Sequence, residues 1–144
     1  MFLIDTNILL HAVNRESADS QKTSAFLRAL PKQSECWGLS WNVLYEFMRV
    51  ATHPRVFSAP LTQPQAWQFI SALLNCPNCM LVSETGLHAE TLAECAEKTP
   101  RLGGNILHDF HTAVLMREHG ITEIVTFDQD FRAFPWITIK ELDT

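Results

Sequence analysis

Four acids spaced far apart along the chain, Asp5, Glu46, Asp109 and Asp128, are the residues whose types could do chemistry. Carboxylates gathered in one cleft suit a hard cation such as Mg²⁺, which takes oxygen ligands and keeps several of its waters. A soft-metal site would instead draw on Cys or His. A cation held this way beside a phosphodiester neutralises phosphate charge and activates a water for in-line displacement, the chemistry of a metal-dependent nuclease.

The elements that must position these acids alternate between strand and helix. Met1–Ile4 reads as a short buried strand that Asp5 follows directly, and a short helix runs on to about Val13. A helix from about Asp19 to Leu30 ends at Pro31. Glu35–Leu39 is a second strand, and Ser40 is placed to cap a helix over Trp41–Ala51 that carries Glu46. Thr62, with Pro64 in the first turn, opens the next helix. Cys79–Val82 is a third strand, followed by a helix from Thr85 to Lys98. A helix beginning at Asn105 carries Asp109 in its first turns and stops at Gly120. Ile121–Thr126 is a fourth strand that Asp128 follows, and Trp136–Ile139 a fifth. This alternation predicts an α/β domain with a mostly parallel sheet, whose functional crevice lies beyond the carboxyl ends of the strands. The acids fall on strand ends and helix starts at that edge.

Each acid also has an ordinary explanation. Asp5 suits a turn or helix cap, Asp109 the positive end of a helix dipole, and Asp128 an Asx-type turn. For Glu46 the ordinary reading is a surface pair with Arg49. Apolar residues cover most of its helix, however, and Asn42, Glu46, Arg49 and His53 form one narrow polar stripe if the last turn holds. An almost wholly apolar helix is expected to be buried, and its one acid then needs a partner such as a metal.

The bulk composition is that of a folded protein. The 144 residues are 47% hydrophobic and 19% charged, the size and mixture of a single domain spanning 1–144. No apolar run is long enough to span a bilayer, and the opening residues lack a basic segment before their apolar stretch, so the expected location is cytoplasmic. A net charge of −5 opposes a broad phosphate-binding face, an objection that weakens if several acids bind metal. Of four cysteines, Cys76 and Cys79 have C-x-x-C spacing, but no second pair completes a zinc site, and buried or incidental thiols are expected.

At these residues the chain resembles the PIN-domain ribonucleases, specifically the VapC-type toxins of bacterial and archaeal toxin–antitoxin modules. Phe2-Leu3-Ile4-Asp5-Thr6-Asn7-Ile8-Leu9-Leu10 is similar to the family's first acidic motif, and Glu46 matches the second. Gly104-Asn105-Ile106-Leu107-His108-Asp109 matches the third, and Thr126-Phe127-Asp128-Gln129-Asp130-Phe131 the T-x-D-x-x-F segment. Arg49–Phe57 is similar to a VapC subgroup often seen in mycobacteria and other bacteria. The resemblance covers nearly the whole chain. It implies a three-layer α/β/α sandwich with strand order 3-2-1-4-5 and Mg²⁺- or Mn²⁺-dependent endonucleolytic cleavage of structured RNA, such as transfer or ribosomal RNA. It also implies a VapB-type antitoxin partner and a homodimer. Asp5, Glu46, Asp109 and Asp128 would be both the catalytic and the metal-holding residues.

Thr6, Asn7, Thr126 and Asp130 are candidates for support: Thr6 and Asn7 could orient Asp5 or a bound water, and Asp130 could assist Asp128 or face solvent. Arg49, His53 and Arg55 are candidates for RNA phosphate contacts, for which an ordinary surface loop is an equal explanation. His108 and His111 flank Asp109 and are taken as structural or near substrate, not as ligands. The tryptophans are expected in the core or an interface. Two other functions compete. A phosphatase with an Asp nucleophile wants a second Asp two residues on, where this chain has Asn7. A non-catalytic module that keeps the fold does not need all of the acids.

Overall fold

The computed structural model describes residues 1–142. Five strands, β1 (Phe2–Ile4), β2 (Trp37–Ser40), β3 (Cys79–Val82), β4 (Glu123–Val125) and β5 (Thr138–Lys140), form one sheet in the order β3-β2-β1-β4-β5. Every pairing is parallel, so the sheet is wholly rather than mostly parallel. Six α-helices connect the strands: α1 (Thr6–Val13), α2 (Ser20–Ala29), α3 (Trp41–Ala51), α4 (Gln63–Leu74), α5 (His88–Lys98) and α6 (Leu107–Glu118).

Side-chain alternation along the strands builds the three layers. Phe2 and Ile4 of β1, with Trp37 and Leu39 of β2, point into a core shared with Ile8, Leu9, Leu27, Val43, Phe47 and Ile70 from α1–α4. Leu3 and Ile124 point the other way, into a core with Ala113, Leu115 and Met116 of α6, closed by Phe131 and Phe134. The chain leaves β1 toward β2 and later crosses back to place β4 on the other side of β1. Strand order therefore reverses between β1 and β4, which is where open α/β sheets form their crevice.

Several local expectations are corrected. The second strand begins at Trp37 rather than Glu35, because Asn78 Nδ2 donates to the carbonyls of Leu30, Gln33 and Glu35 and holds that approach as a loop. Helix α5 starts at His88 rather than Thr85: the Thr85 amide donates to Glu118 and its hydroxyl accepts from the Leu87 amide, a turn that competes with the helix. Gly104, at φ +69°, begins a separate 3₁₀ turn over Gly104–Ile106, and α6 follows at Leu107. Ser40 occupies the N-cap position of α3 without a side-chain cap, and its buried hydroxyl has no partner among the described residues. Thr62 does cap α4, in a reciprocal capping box with Gln65.

Helix α3 is amphipathic, not buried all round. Val43, Leu44, Phe47 and Ala51 make its buried stripe, whereas Trp41 is 40% and Tyr45 70% exposed. The Glu46 side chain is itself 45% exposed. The apolar residues exceed what one buried face can hold, so the surplus faces outward. The helix ends at Ala51, so His53 lies in the following turn and not on the polar stripe.

Candidate active site

Asp5 and Asp128 leave the two strands that flank the reversal of strand order. The Asp5 amide donates to the Val125 carbonyl at 3.1 Å, which extends the β1–β4 pairing by one residue and brings Asp5 beside the Thr126–Asp128 segment. Both acids also serve as caps: Asp5 Oδ1 accepts from the Thr6 amide at 2.7 Å, and Asp128 Oδ1 from the Asp130 amide at 2.8 Å. Their ordinary roles as caps and their grouping are thus not exclusive.

Thr126 is the hub between them. Its buried hydroxyl donates to Asp5 Oδ2 at 2.7 Å and accepts from Asn7 Nδ2 at 2.8 Å and from the Asp128 amide at 2.9 Å, which uses its full capacity. Asn7 Nδ2 also donates to Asp5 Oδ2 at 2.7 Å, and its carbonyl accepts from the Phe127 amide at 3.2 Å. Asn7 therefore lies across the two segments. The Thr6 hydroxyl reaches the other way, donating to Glu46 Oε2 at 3.1 Å, and so ties Glu46 to the end of β1. Thr126→Val keeps the shape and removes all three bonds. It is expected to lower stability by about 2 kcal/mol, read by urea denaturation, and to reduce any cleavage activity by disordering Asp5 and Asp128 together. An unchanged unfolding midpoint would refute the hub role.

Asp109 comes from the first turn of α6, and its carboxylate meets those of Asp128 and Asp130: one oxygen from each lies within 4.8 Å of the others. Asp130 thus stands within the cluster although the residue is exposed. Burial pushes the Asp5 carboxyl up to about 6, with smaller contributions from Glu46 and Asp128, against the lowering effect of its hydrogen bonds. Burial, together with the charges of Asp5, Asp128, Glu46 and Asp130, pushes Asp109 up to about 7. Ionisation of Asp5 and Asp109 is therefore opposed by burial and by the carboxylates around them. Positive charge would relieve that opposition, and an all-oxygen donor set fits a hard divalent cation.

Arg49 is the cation beside this cluster, 3.7 Å from Glu46 and 68% exposed at its side chain. His53 and Arg55 lie in the turn after α3, where His53 Nδ1 accepts from the Arg55 amide; the Arg55 residue is exposed. His111 points away from the acids and pairs with Glu84 at 2.7 Å. Trp37 is core, whereas Trp41, Tyr45 and Trp67 line an open apolar groove of about 500 Å³ between α3 and α4. A cavity of about 1050 Å³ lies against α2, Glu35 and Lys140 and includes no member of the acid set. Cys79 is pushed up to about 12 by burial and the neighbouring Cys76, so that pair is poorly suited to thiolate chemistry.

The PIN domain family model matches residues 2–137, and the chain belongs to that family. Its relatives are ribonucleases of the VapC type. Ribonuclease VapC37 of Mycobacterium tuberculosis is 33% identical over 134 residues, covering 93% of this chain and 92% of that protein. Ribonuclease VapC48 of the same species is 32% identical over 138 residues, covering 95% and 94%. Two solved structures share the fold. That of VapBC2 from Rickettsia felis, bound to a promoter DNA fragment, has a TM-score of 0.68 at 18% identity and covers 99% of this chain and 98% of that one. The Mycobacterium tuberculosis toxin VapC20, described as cleaving the sarcin–ricin loop, has a TM-score of 0.63 at 19% identity and covers 92% and 94%.

Proposed function

We propose that the chain is a metal-dependent endoribonuclease, the toxin of a VapBC-type module, acting through Asp5, Glu46, Asp109 and Asp128. The observation that carries this reading is the convergence of these acids at the reversal of strand order, in a chain whose relatives are VapC ribonucleases. Mg²⁺ is the proposed cation, with Mn²⁺ as a substitute; when bound it supplies charge to the scissile phosphate and lowers the pKa of the attacking water.

The chain's own residues divide the remaining work. Asp109 and Asp128 offer oxygens for the cation, and the more exposed Asp130 assists from the rim. Asp5 is held as an acceptor by Thr6, Asn7 and Thr126, so its carboxylate is oriented before any ligand arrives. Glu46 closes the cluster from α3, restrained by Thr6. Arg49, His53 and Arg55 bind flanking RNA phosphates, a local contact compatible with a net charge of −5. A structured RNA, transfer or ribosomal, is the proposed substrate. A VapB-type antitoxin restrains the enzyme, and the working form is a homodimer. The exposed aromatic groove on α3 and α4 has the chemistry of a protein contact rather than of phosphate binding, which supports protein partners. Among the described residues no helix is long and apolar enough to cross a membrane, and we place the enzyme in the cytoplasm.

The test is cleavage of a mixed pool of transfer and ribosomal RNA with Mg²⁺ or Mn²⁺, with the cut ends mapped. Attack by water is expected to give discrete internal cuts with 5′-phosphate ends, and Asp5→Asn to lose them. Absence of cutting with both cations, or equal cutting by Asp5→Asn, would overturn the proposal.

A further inference from the structure

A second group of metal-binding side chains lies on the α5–α6 side of the molecule and shares no residue with the acid cluster. One nitrogen each of His88 and His111 and one oxygen of Glu84 lie within 4.8 Å of one another. They come from three segments: the β3–α5 connection, the first residue of α5, and the middle of α6. His111 follows Asp109 by two positions, a rotation of about 200° around a helix, so the two side chains leave α6 on opposite sides.

The surroundings of this group hold it in place. His88 Nδ1 is 2.6 Å from Glu118 Oε2, and the Glu118 side chain is only 1% exposed. With Nδ1–H donated to that carboxylate, the neutral imidazole keeps its lone pair on Nε2, the tautomer a metal requires. Glu118 is fixed in turn by the amide and hydroxyl of Thr85. The connection is fastened to α6 at two further points, by His119 Nε2 to the Ser83 carbonyl at 2.7 Å and by His111 Nε2 to Glu84 Oε1, also at 2.7 Å. The two imidazole rings meet edge-on with centroids 6.0 Å apart. Exposed Glu–His pairs alone would contribute little and would not require both rings and Glu84 to converge on one point.

We propose that Glu84, His88 and His111 form a zinc-binding site, with Glu118 as the carboxylate that orients His88. Two imidazoles and a carboxylate are donors for Zn²⁺ rather than Mg²⁺, with ligand distances of about 2.0–2.2 Å and a fourth position left for water. His111 Nε2 and Glu84 Oε1 now bond each other and open by a fraction of an ångström to admit the ion. The site ties the β3–α5 connection to α6, the helix whose first turn carries Asp109, so its role is to brace the active-site helix.

The experiment uses the full chain, stripped of metal and then held in excess MgCl₂ so that the acid cluster does not compete. ZnCl₂ is titrated calorimetrically, and CoCl₂ is followed by visible absorption. One equivalent of Zn²⁺ is expected, with Co²⁺ giving ligand-field bands and no thiolate charge-transfer band. Glu84→Gln, at an exposed position, and His111→Gln are each expected to weaken zinc binding at least ~10-fold, and Glu118→Gln by roughly 10–100-fold, with unchanged circular dichroism. Asp5→Asn is expected to bind zinc as the wild type does, which separates this site from the proposed nuclease centre. No zinc uptake by the wild type would overturn the proposal. So would binding that survives both Glu84→Gln and His111→Gln, or that is lost in Cys76→Ser.

Discussion

Asp109→Asn is expected to cut RNA cleavage severely while making the metal-free protein more stable. The two effects have one cause. Asp109 is half-buried and faces the charges of Asp5, Asp128, Glu46 and Asp130, which together with burial push its carboxyl up to about 7. Above that pH the metal-free native state carries a charge its surroundings oppose, and Asn removes the charge at nearly constant volume. The partly exposed position screens the repulsion, so the gain at pH 8 is about 1 kcal/mol, or roughly 2–4 °C in Tm for a chain of this size. Loss of the same charge removes an oxygen donor from the group Asp109–Asp128–Asp130, and cleavage is expected to fall by roughly 10²–10³-fold, the scale on which single electrostatic contributors to catalysis act. Thermal melts and cleavage rates on one preparation check both halves. An Asp109→Asn protein that melts lower than wild type, or cleaves as fast, contradicts this account of the site.

The metal-free wild type should also lose stability as pH rises from about 4 to about 7. Asp5 and Asp109 have an ordinary value of 3.8 and folded values of about 6 and about 7. Between those limits the native chain binds more protons than the unfolded chain, so the free energy of unfolding falls with rising pH and levels off above about pH 8. Asp5 is 8% exposed, and its rise from 3.8 to about 6 corresponds to roughly 3 kcal/mol; the more open Asp109 adds less. Saturating Mg²⁺ or Mn²⁺ should flatten or reverse the slope by binding only the ionised native cluster. Urea denaturation from pH 4 to pH 8, with EDTA and with Mg²⁺, measures the difference. A metal-free curve that rises through pH 6, with no change on adding the cation, would exclude a repulsive carboxylate centre.

Much of this arrangement was legible in the sequence because it rests on local signals. The strand–acid junction at Asp5, the bounds of the Trp41–Ala51 helix and the Cys79–Val82 strand follow from apolar runs bounded by polar residues and caps. The order β3-β2-β1-β4-β5 came from the family resemblance and is the order observed. What was misjudged depends on contacts between distant segments. The exposure of Trp41 and Tyr45, and with it the half-exposed position of Glu46, depends on how much of α3 its neighbours cover, which a helical pattern alone cannot fix. The start of α5 moved because Thr85 is engaged by Glu118 on another helix. Thr126 stood in a recognisable segment, but its three simultaneous bonds to Asp5, Asn7 and Asp128 join residues from both ends of the chain. Glu84, His88 and His111 share no periodicity at all, and His111 beside Asp109 was read only as structural or near substrate.

That the carboxylates at the reversal of strand order hold the cation on which cleavage depends is tested most directly by anomalous diffraction from crystals of the protein soaked in MnCl₂. Mn²⁺ is expected at about 2.2 Å from oxygens of Asp109 and Asp128, with Asp5 and Glu46 reaching it directly or through water. Anomalous density absent from this cluster, in crystals that hold Mn²⁺ elsewhere on the protein, would contradict it.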